Sequence, residues 1–280
     1  MSTAQILLLG AIAGATIFLG LPIGRMRGLG PNARAGLSSL ATGILVFLFW
    51  DVMSNAVDPI DTSIHASNWG KVAELSVLGV VGFVAGLMSL VYYDAWMKER
   101  TGRRSSPLIG PGAAALDEFT ERRQFDLANP AIRLSFLIAI GIGVHNFGEG
   151  LAIGQAATAN EIALAVTLII GFGLHNATEG FGICGPLSGA GIIPSWRLLA
   201  LLGVIGGLPT FLGTVVGQAW TSDALSVVFF TIAGGSILYV VQELFAVNRK
   251  YGHPVLVSWL LVAGIMLGFA TDFVVTAAGV

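Results

Sequence analysis

The chain has 280 residues, 55% of them hydrophobic and only 11% charged, with a formal net charge of −2. Soluble domains carry about a quarter charged residues, so the composition excludes an ordinary soluble protein, and a mean hydropathy of +0.82 points to a polytopic membrane bundle. Near-neutral charge without dense basic tracts excludes nucleic-acid binding. The lone Cys184 excludes an internal disulfide or a cysteine-rich metal cage.

Apolar stretches run at about 5–24, 35–57, 73–96, 131–155, 161–184, 195–217, 223–247 and 254–278. Each is about the 20 residues that a membrane-spanning helix needs, which predicts an all-α bundle of eight transmembrane helices forming a single domain over residues 1–280. Met1 to Gln5 carry no Lys or Arg, so the first stretch reads as a span and not as a signal peptide. A β-barrel would show short alternating segments instead of these continuous runs. With eight spans, thirteen of the fourteen basic residues fall on one side: Arg25, Arg27, Arg34, Lys98, Arg100, Arg103, Arg104, Arg122, Arg123, Arg133, Arg197, Arg249 and Lys250, against Lys71 alone. Basic residues are retained in the cytoplasm, so both termini are expected outside.

Residues 97–129 then form a long cytoplasmic loop between the third and fourth helices. It mixes Gly110, Pro111 and Gly112 with the charged run Asp117 to Asp126, and is expected to be partly disordered with one interfacial helix. Spaced glycines (Gly10 with Gly14, Gly20 with Gly24, Gly213 with Gly217) serve close helix packing or a homodimer face.

The fourth and fifth spans carry residues that are costly in hydrocarbon. His145-Asn146-Phe147-Gly148-Glu149-Gly150 and His175-Asn176-Ala177-Thr178-Glu179-Gly180 both read H-N-x-x-E-G, thirty residues apart, and hold two of the four histidines in the chain. Positions i and i+4 share a helix face, so each His-Glu pair points one way. The short connection near Ala156 to Asn160 makes the two helices antiparallel neighbours. On the spans as drawn, the two motifs share a depth only if the helices tilt, bend or start later. Two imidazoles and two carboxylates suit a divalent transition metal, zinc, iron(II) or manganese, and ligand softness alone does not choose among them. Gly148 and Gly150 are expected to loosen local helix hydrogen bonding and admit backbone or water to the ion. A metal-free polar network setting helix register is the alternative for a single pair, and the duplication argues against it.

These hexapeptides resemble the signature of the ZIP (Zrt/Irt-like) family of divalent-metal transporters, whose fourth and fifth helices carry H-N-x-P-E-G-like motifs. A weaker likeness lies in Ala233 to Tyr239 and Gln242-Glu243-Leu244. The resemblance implies metal ligation by His145, Glu149, His175 and Glu179, with Asn146 and Asn176 serving a neighbouring position that shares the glutamates. It also implies eight helices, outside termini and transport into the cytoplasm. The motif prolines are replaced by Gly148 and Thr178, implying softer kinks. Leu208 stands before Pro209 where binuclear members carry an acid, so a full second metal site is not expected.

Asp51, Met53, Gln242 and Glu243 are candidate pathway residues, with Glu243 either lining a cytoplasmic exit or pairing with Arg249 or Lys250. Asp94 and Asp272 read as span-end residues that reach water, Asp58, Asp61 and His65 as a solvated outer loop, and Cys184 as inert core. The expected function is transport of a divalent metal (zinc, or Fe²⁺, Mn²⁺ or Cd²⁺) across the plasma membrane, with no resident cofactor and with the ion and the bilayer as partners. The competing classes are an intramembrane metalloenzyme, disfavoured because H-E-x-x-H is absent, and a metal-independent proton or solute carrier. Ligands bind metal only when deprotonated, so metal affinity should weaken as pH falls through the histidine range, about 7.5 to 5.5. Isothermal titration across that range checks this, and a flat profile would remove the imidazoles from the ligand set.

Overall fold

In the computed structural model the described residues are 3–26, 28, 30–102, 125–158, 162–219 and 222–277, and all regular structure among them is helical. The first span is α1 (Thr3–Ala15), a short α2 (Ile17–Gly20) and a 3₁₀ segment, Leu21–Arg25. Its break falls at Thr16, whose hydroxyl donates to the Ala13 carbonyl at 2.5 Å and competes with the helix ladder. Then follow α3 (Pro31–His65), α4 (Trp69–Gly102), α5 (Pro130–Thr158), α6 (Ile162–Gly189), α7 (Trp196–Gly217), α8 (Asp223–Arg249) and α9 (Pro254–Ala277). Among the described residues, seven stretches are long and apolar enough to cross a membrane. Most of the loop expected at 97–129 lies outside the described residues.

Helix starts and stops follow local chemistry. Pro31 opens α3 with its φ preset and no N–H to leave unpaired, and the Ser195 hydroxyl accepts from the Leu198 N–H to cap α7. Three helices clearly outrun the expected spans. The α4 helix continues to Gly102, so residues 97–102 are helical and not the start of the expected loop. The α3 helix continues to His65, so Asp61 and His65 are not loop residues; they face each other one turn apart, 3.5 Å between His65 Nε2 and Asp61 Oδ2. The α6 helix continues to Gly189 and stops where Gly191 takes a left-handed φ of 71°. That extension brings the two motifs level without tilt: His145 stands fifteen residues after Pro130 and His175 fourteen before Gly189, so both lie about 21 to 23 Å along their helices from the basic face.

The helices sort into two halves. One packs α1, α2, α5, α6 and α7 together, and the other packs α3, α4, α8 and α9. Within each half many of the seam glycines press on backbone, while others, such as Gly203 on Phe18 and Gly268 on Phe47, meet side chains. A Cβ at Gly150 would overlap the Thr210 carbonyl oxygen, one at Gly213 the Phe147 oxygen, and Gly14 and Gly207 would overlap each other's carbonyls. In the second half Gly43 meets Leu261 O, Gly264 meets Leu40 O, Gly86 meets Ile232 O and Gly235 meets Phe83 O in the same way. Across the halves, by contrast, glycines meet side chains: Gly148 the Phe230 ring, Gly141 the Ser236 Cβ and Gly185 the Ala41 methyl.

Of the two roles expected of the spaced glycines the structure shows close packing: Gly10, Gly14, Gly20, Gly24, Gly213 and Gly217 all meet neighbouring helices of the same chain. One expectation for the glycines is corrected. Gly148 and Gly150 do not loosen α5, which runs unbroken from Pro130 to Thr158; their missing side chains admit Phe230 and α7.

If the seams are as tight as this, Gly213→Leu should destabilise the protein by about 1–3 kcal/mol or more through overpacking. Gly70→Ala, where a Cβ meets nothing closer than 3.8 Å, should leave stability unchanged or slightly raised. Thermal unfolding of the two variants in detergent checks this.

Candidate metal centre

Three of the motif side chains meet between α5 and α6. His145 Nε2 lies 3.4 Å from Glu149 Oε1, one turn along α5, and 3.9 Å from Glu179 Oε1 on α6. All three are buried, Glu179 completely. The His175 side chain is outside the described residues, and among those described no three His, Cys, Asp or Glu side chains already form a closed cage.

The two asparagines act as anchors. The Asn146 amide nitrogen donates to Glu179 Oε2 at 3.0 Å and to the Gly206 carbonyl of α7 at 3.0 Å, fixing the carboxylate from the next helix. The Asn176 amide nitrogen donates to the Ala13 carbonyl at 3.0 Å, an oxygen that Thr16 also uses. With their N–H groups spent on anchoring, Asn146 Oδ1 and Asn176 Oδ1 have no hydrogen-bond partner among the described residues, and neither has Glu149 Oε2. Buried acceptors are rarely left unsatisfied. Two amide oxygens together with the carboxylates of Glu149 and Glu179 make a donor set suited to a hard or borderline cation.

The surroundings shape access. Phe230 of α8 stands 6.3 Å from the His145 ring and fills the notch at Gly148. This is why glycine, and not the proline of the resembled motif, serves at that position. Thr210, buried against Gly150 on α7, leaves its hydroxyl without a partner among the described residues, whereas Leu208 faces outward, 47% exposed.

The pathway candidates separate. Asp51 on α3 is half-buried, is held by the Asn55 amide at 3.4 Å, and lies within electrostatic reach of His145, Glu149, Glu179 and Asp272. Met53 places its sulfur in the notch at Gly234 and joins α3 to α8 by packing. Glu243 lines a cavity of about 530 Å³ at the basic face, beside Asp94, Arg133, Tyr239 and Lys250. It forms no ion pair among the described residues, so the expected pairing with Arg249 or Lys250 does not appear. Gln242 is exposed and does not line the cavity; it is one residue from Glu243 and therefore about 100° around the helix.

Asp94 is not a span-end residue reaching water. It is buried and bound to Arg133 Nε at 2.6 Å. Sequence reading missed this pair because the partners sit on different helices; the one available signal was an arginine in the first turn of a span. Cys184 is inert core as expected, its thiol donating to Leu21 O at 3.3 Å.

Buried carboxylates and imidazole gathered inside a helical membrane bundle define the class: an integral, multi-pass membrane protein with an intramembrane polar centre. The chain belongs to the ZIP zinc transporter family, whose family model matches residues 112–276. It is 28% identical over 265 residues to the zinc transporter ZupT of Chlorobium chlorochromatii, covering 90% of this chain and 92% of that protein. It is also 28% identical over 249 residues to the zinc transporters ZupT of Salmonella newport and Salmonella typhimurium, covering 87% of this chain and 86% of each.

Asn146→Ala would strand the Gly206 carbonyl and one Glu179 oxygen, so it should cost about 1–3 kcal/mol. The exposed Asn55→Ala should cost little. Chemical unfolding of both variants in matched detergent makes the comparison.

Proposed function

We propose that this protein carries a divalent transition-metal ion, zinc in the first place, into the cytoplasm. On this reading the whole chain is one transport unit of eight spans with both termini outside, set in the plasma membrane. The observation that carries it is the meeting of His145, Glu149 and Glu179 in the buried seam of α5 and α6, with Asn146 Oδ1 and Asn176 Oδ1 on the same helices buried and without a hydrogen-bond partner among the described residues. Two carboxylates neutralise one divalent cation where a bare charge is costly. His175 completes the set from the same depth on α6, and Asn146 Oδ1 and Asn176 Oδ1 supply neutral oxygens to the same ion. The names of the relatives favour zinc, and Fe²⁺, Mn²⁺ and Cd²⁺ are the competing cargoes.

Charge also argues for one ion at a time. A second cation beside the first would share the same two glutamates, and Leu208 brings no further acid. Asp51 draws the ion towards the centre from the outer side, and Glu243 in the 530 Å³ cavity receives it on the basic, cytoplasmic side. The glycine-tight halves move as units, and the smoother boundary between them is where the site changes the side to which it opens. The ion is cargo, so the protein holds no resident cofactor and performs no covalent chemistry.

Uptake into proteoliposomes tests this with zinc, iron(II), manganese and cadmium, comparing the wild type with Glu149→Gln and Glu179→Gln. Removing either carboxylate should lower uptake at least ~10-fold while the protein remains folded. Uptake absent in the wild type, or unchanged in both variants, would return the choice to an enzyme or a metal-independent relay.

A further inference from the structure

The buried Asp94–Arg133 pair joins helices that otherwise hardly meet. Asp94 belongs to α4 and Arg133 to the first turn of α5, so the pair crosses from one half of the molecule to the other. Apart from it, α4 and α5 make only sparse contact. The Tyr239 hydroxyl of α8 lies within electrostatic reach of Asp94, and the Arg133 guanidinium also donates to the Leu127 carbonyl at 3.4 Å, just before α5. All three side chains line the cavity at the basic face, and each is under 10% exposed.

A buried ion pair repays little in overall stability, because desolvating both charges offsets their attraction. What it does enforce is one arrangement: separating the partners leaves two uncompensated charges in a poor solvent. The glycine contacts across the halves are packing contacts, such as Phe230 on Gly148 and Ala41 on Gly185, and these change continuously as surfaces slide. The ion pair has no such intermediate. It also sits at the end of the rigid helix that carries His145 and Glu149, twelve and sixteen residues further on.

We propose that Asp94, Arg133 and Tyr239 form a latch across the two halves that holds the cavity open on the basic face, so that they are positioning residues setting the side to which the metal centre opens. The inference rests on the transport reading, and on the division into two halves. With the latch made, α5 is pinned to α4 and α8 and the cavity persists. Closing the cavity requires α5 to leave Asp94, so the latch sets how often that happens.

The test reads cavity opening directly and needs no transport. A reporter Val247→Cys, half-buried in the cavity wall, is placed in a Cys184→Ala background. It is labelled with a membrane-impermeant maleimide in metal-free vesicles that expose the basic face. Single charge removals would leave a naked buried charge that itself seeks water, so the deciding variants are the neutral pair Asp94→Asn with Arg133→Gln, and Tyr239→Phe, which deletes one hydroxyl. Both should label more slowly than the latched protein, the neutral pair by at least about threefold, the size of a modest population shift. A latch that only braced the fold would lower thermal stability and leave the labelling rate of folded protein unchanged, which would overturn the proposal. Should the neutral pair fail to fold, Tyr239→Phe decides alone by the same criterion. Loss of uptake in the glutamate variants and slowed labelling here are separate results, so failure of one reading is not failure of the other.

Discussion

Everything in this molecule is arranged around keeping two carboxylates and an imidazole inside a medium that rejects charge. Glu149, Glu179 and His145 are buried between α5 and α6, and an ionisable group at mid-membrane costs about 2.5–3.5 kcal/mol even on lenient scales. The cost is offset by anchoring and not by mutual pairing alone. Asn146 holds Glu179 against a backbone carbonyl of α7, and Asn176 reaches back to α1. The centre therefore ties four helices together, α1, α5, α6 and α7, and the helices must stay close enough for those bonds to form.

Glycine supplies that closeness. Along the α5–α7 seam, Gly143, Gly150 and Gly154 lie on carbonyls of α7, and Gly213 and Gly217 lie on carbonyls of α5. Lipid gives little hydrophobic drive to helix association, so contact at backbone distance is the main source of cohesion. The same device recurs between α3 and α9 and between α4 and α8, but among the described residues it does not occur across the boundary of the halves. There the contacts are rings and methyl groups on glycine, which tolerate displacement. Two stiff bodies with a smooth boundary are what a site needs if it is to face first one side and then the other.

Much of this was legible in the sequence. Hydropathy marks each long helix to within a few residues at most ends, and the duplicated H-N-x-x-E-G motif names the polar centre. What hydropathy misses are polar helix ends: α3 runs on through Asp58, Asp61 and His65, and α6 through Pro186 to Gly189, because hydrogen bonding, and not hydrophobicity, decides where a helix stops. That five-residue extension of α6 removes the apparent mismatch in depth between the motifs. Gly148 and Gly150 misled for a related reason. A glycine in a helix signals weakness when read alone and close approach when its neighbour is known, and the neighbour, Phe230 or Thr210, is distant in sequence. Asp94 and Arg133 were unreadable as a pair on the same ground, each being plausible as a residue at the water interface.

The departures from the family motif fit one account. Where glycine replaces the motif proline, α5 stays straight and Phe230 occupies the space beside His145. Where an acid would precede Pro209, Leu208 points outward, and the residue facing the interior beside Gly150 is Thr210, a neutral hydroxyl. Each change removes polarity or room from the flank of the Glu149–Glu179 pair without touching the pair itself. The acidic groups then fall in three places, with Asp51 on α3 within electrostatic reach of the centre, the two glutamates between α5 and α6, and Glu243 in the cavity beside Asp94 and Arg133. A divalent ion gains by moving from a single carboxylate to the pair, and it can leave the pair only if something else supplies charge. Glu243 lies in the same cavity wall as Asp94, whose charge Arg133 already neutralises. Among the described residues Glu243 forms no ion pair, so on the proposed transport reading the cavity offers one carboxylate against two at the centre, a place for an ion to pass and not to stay.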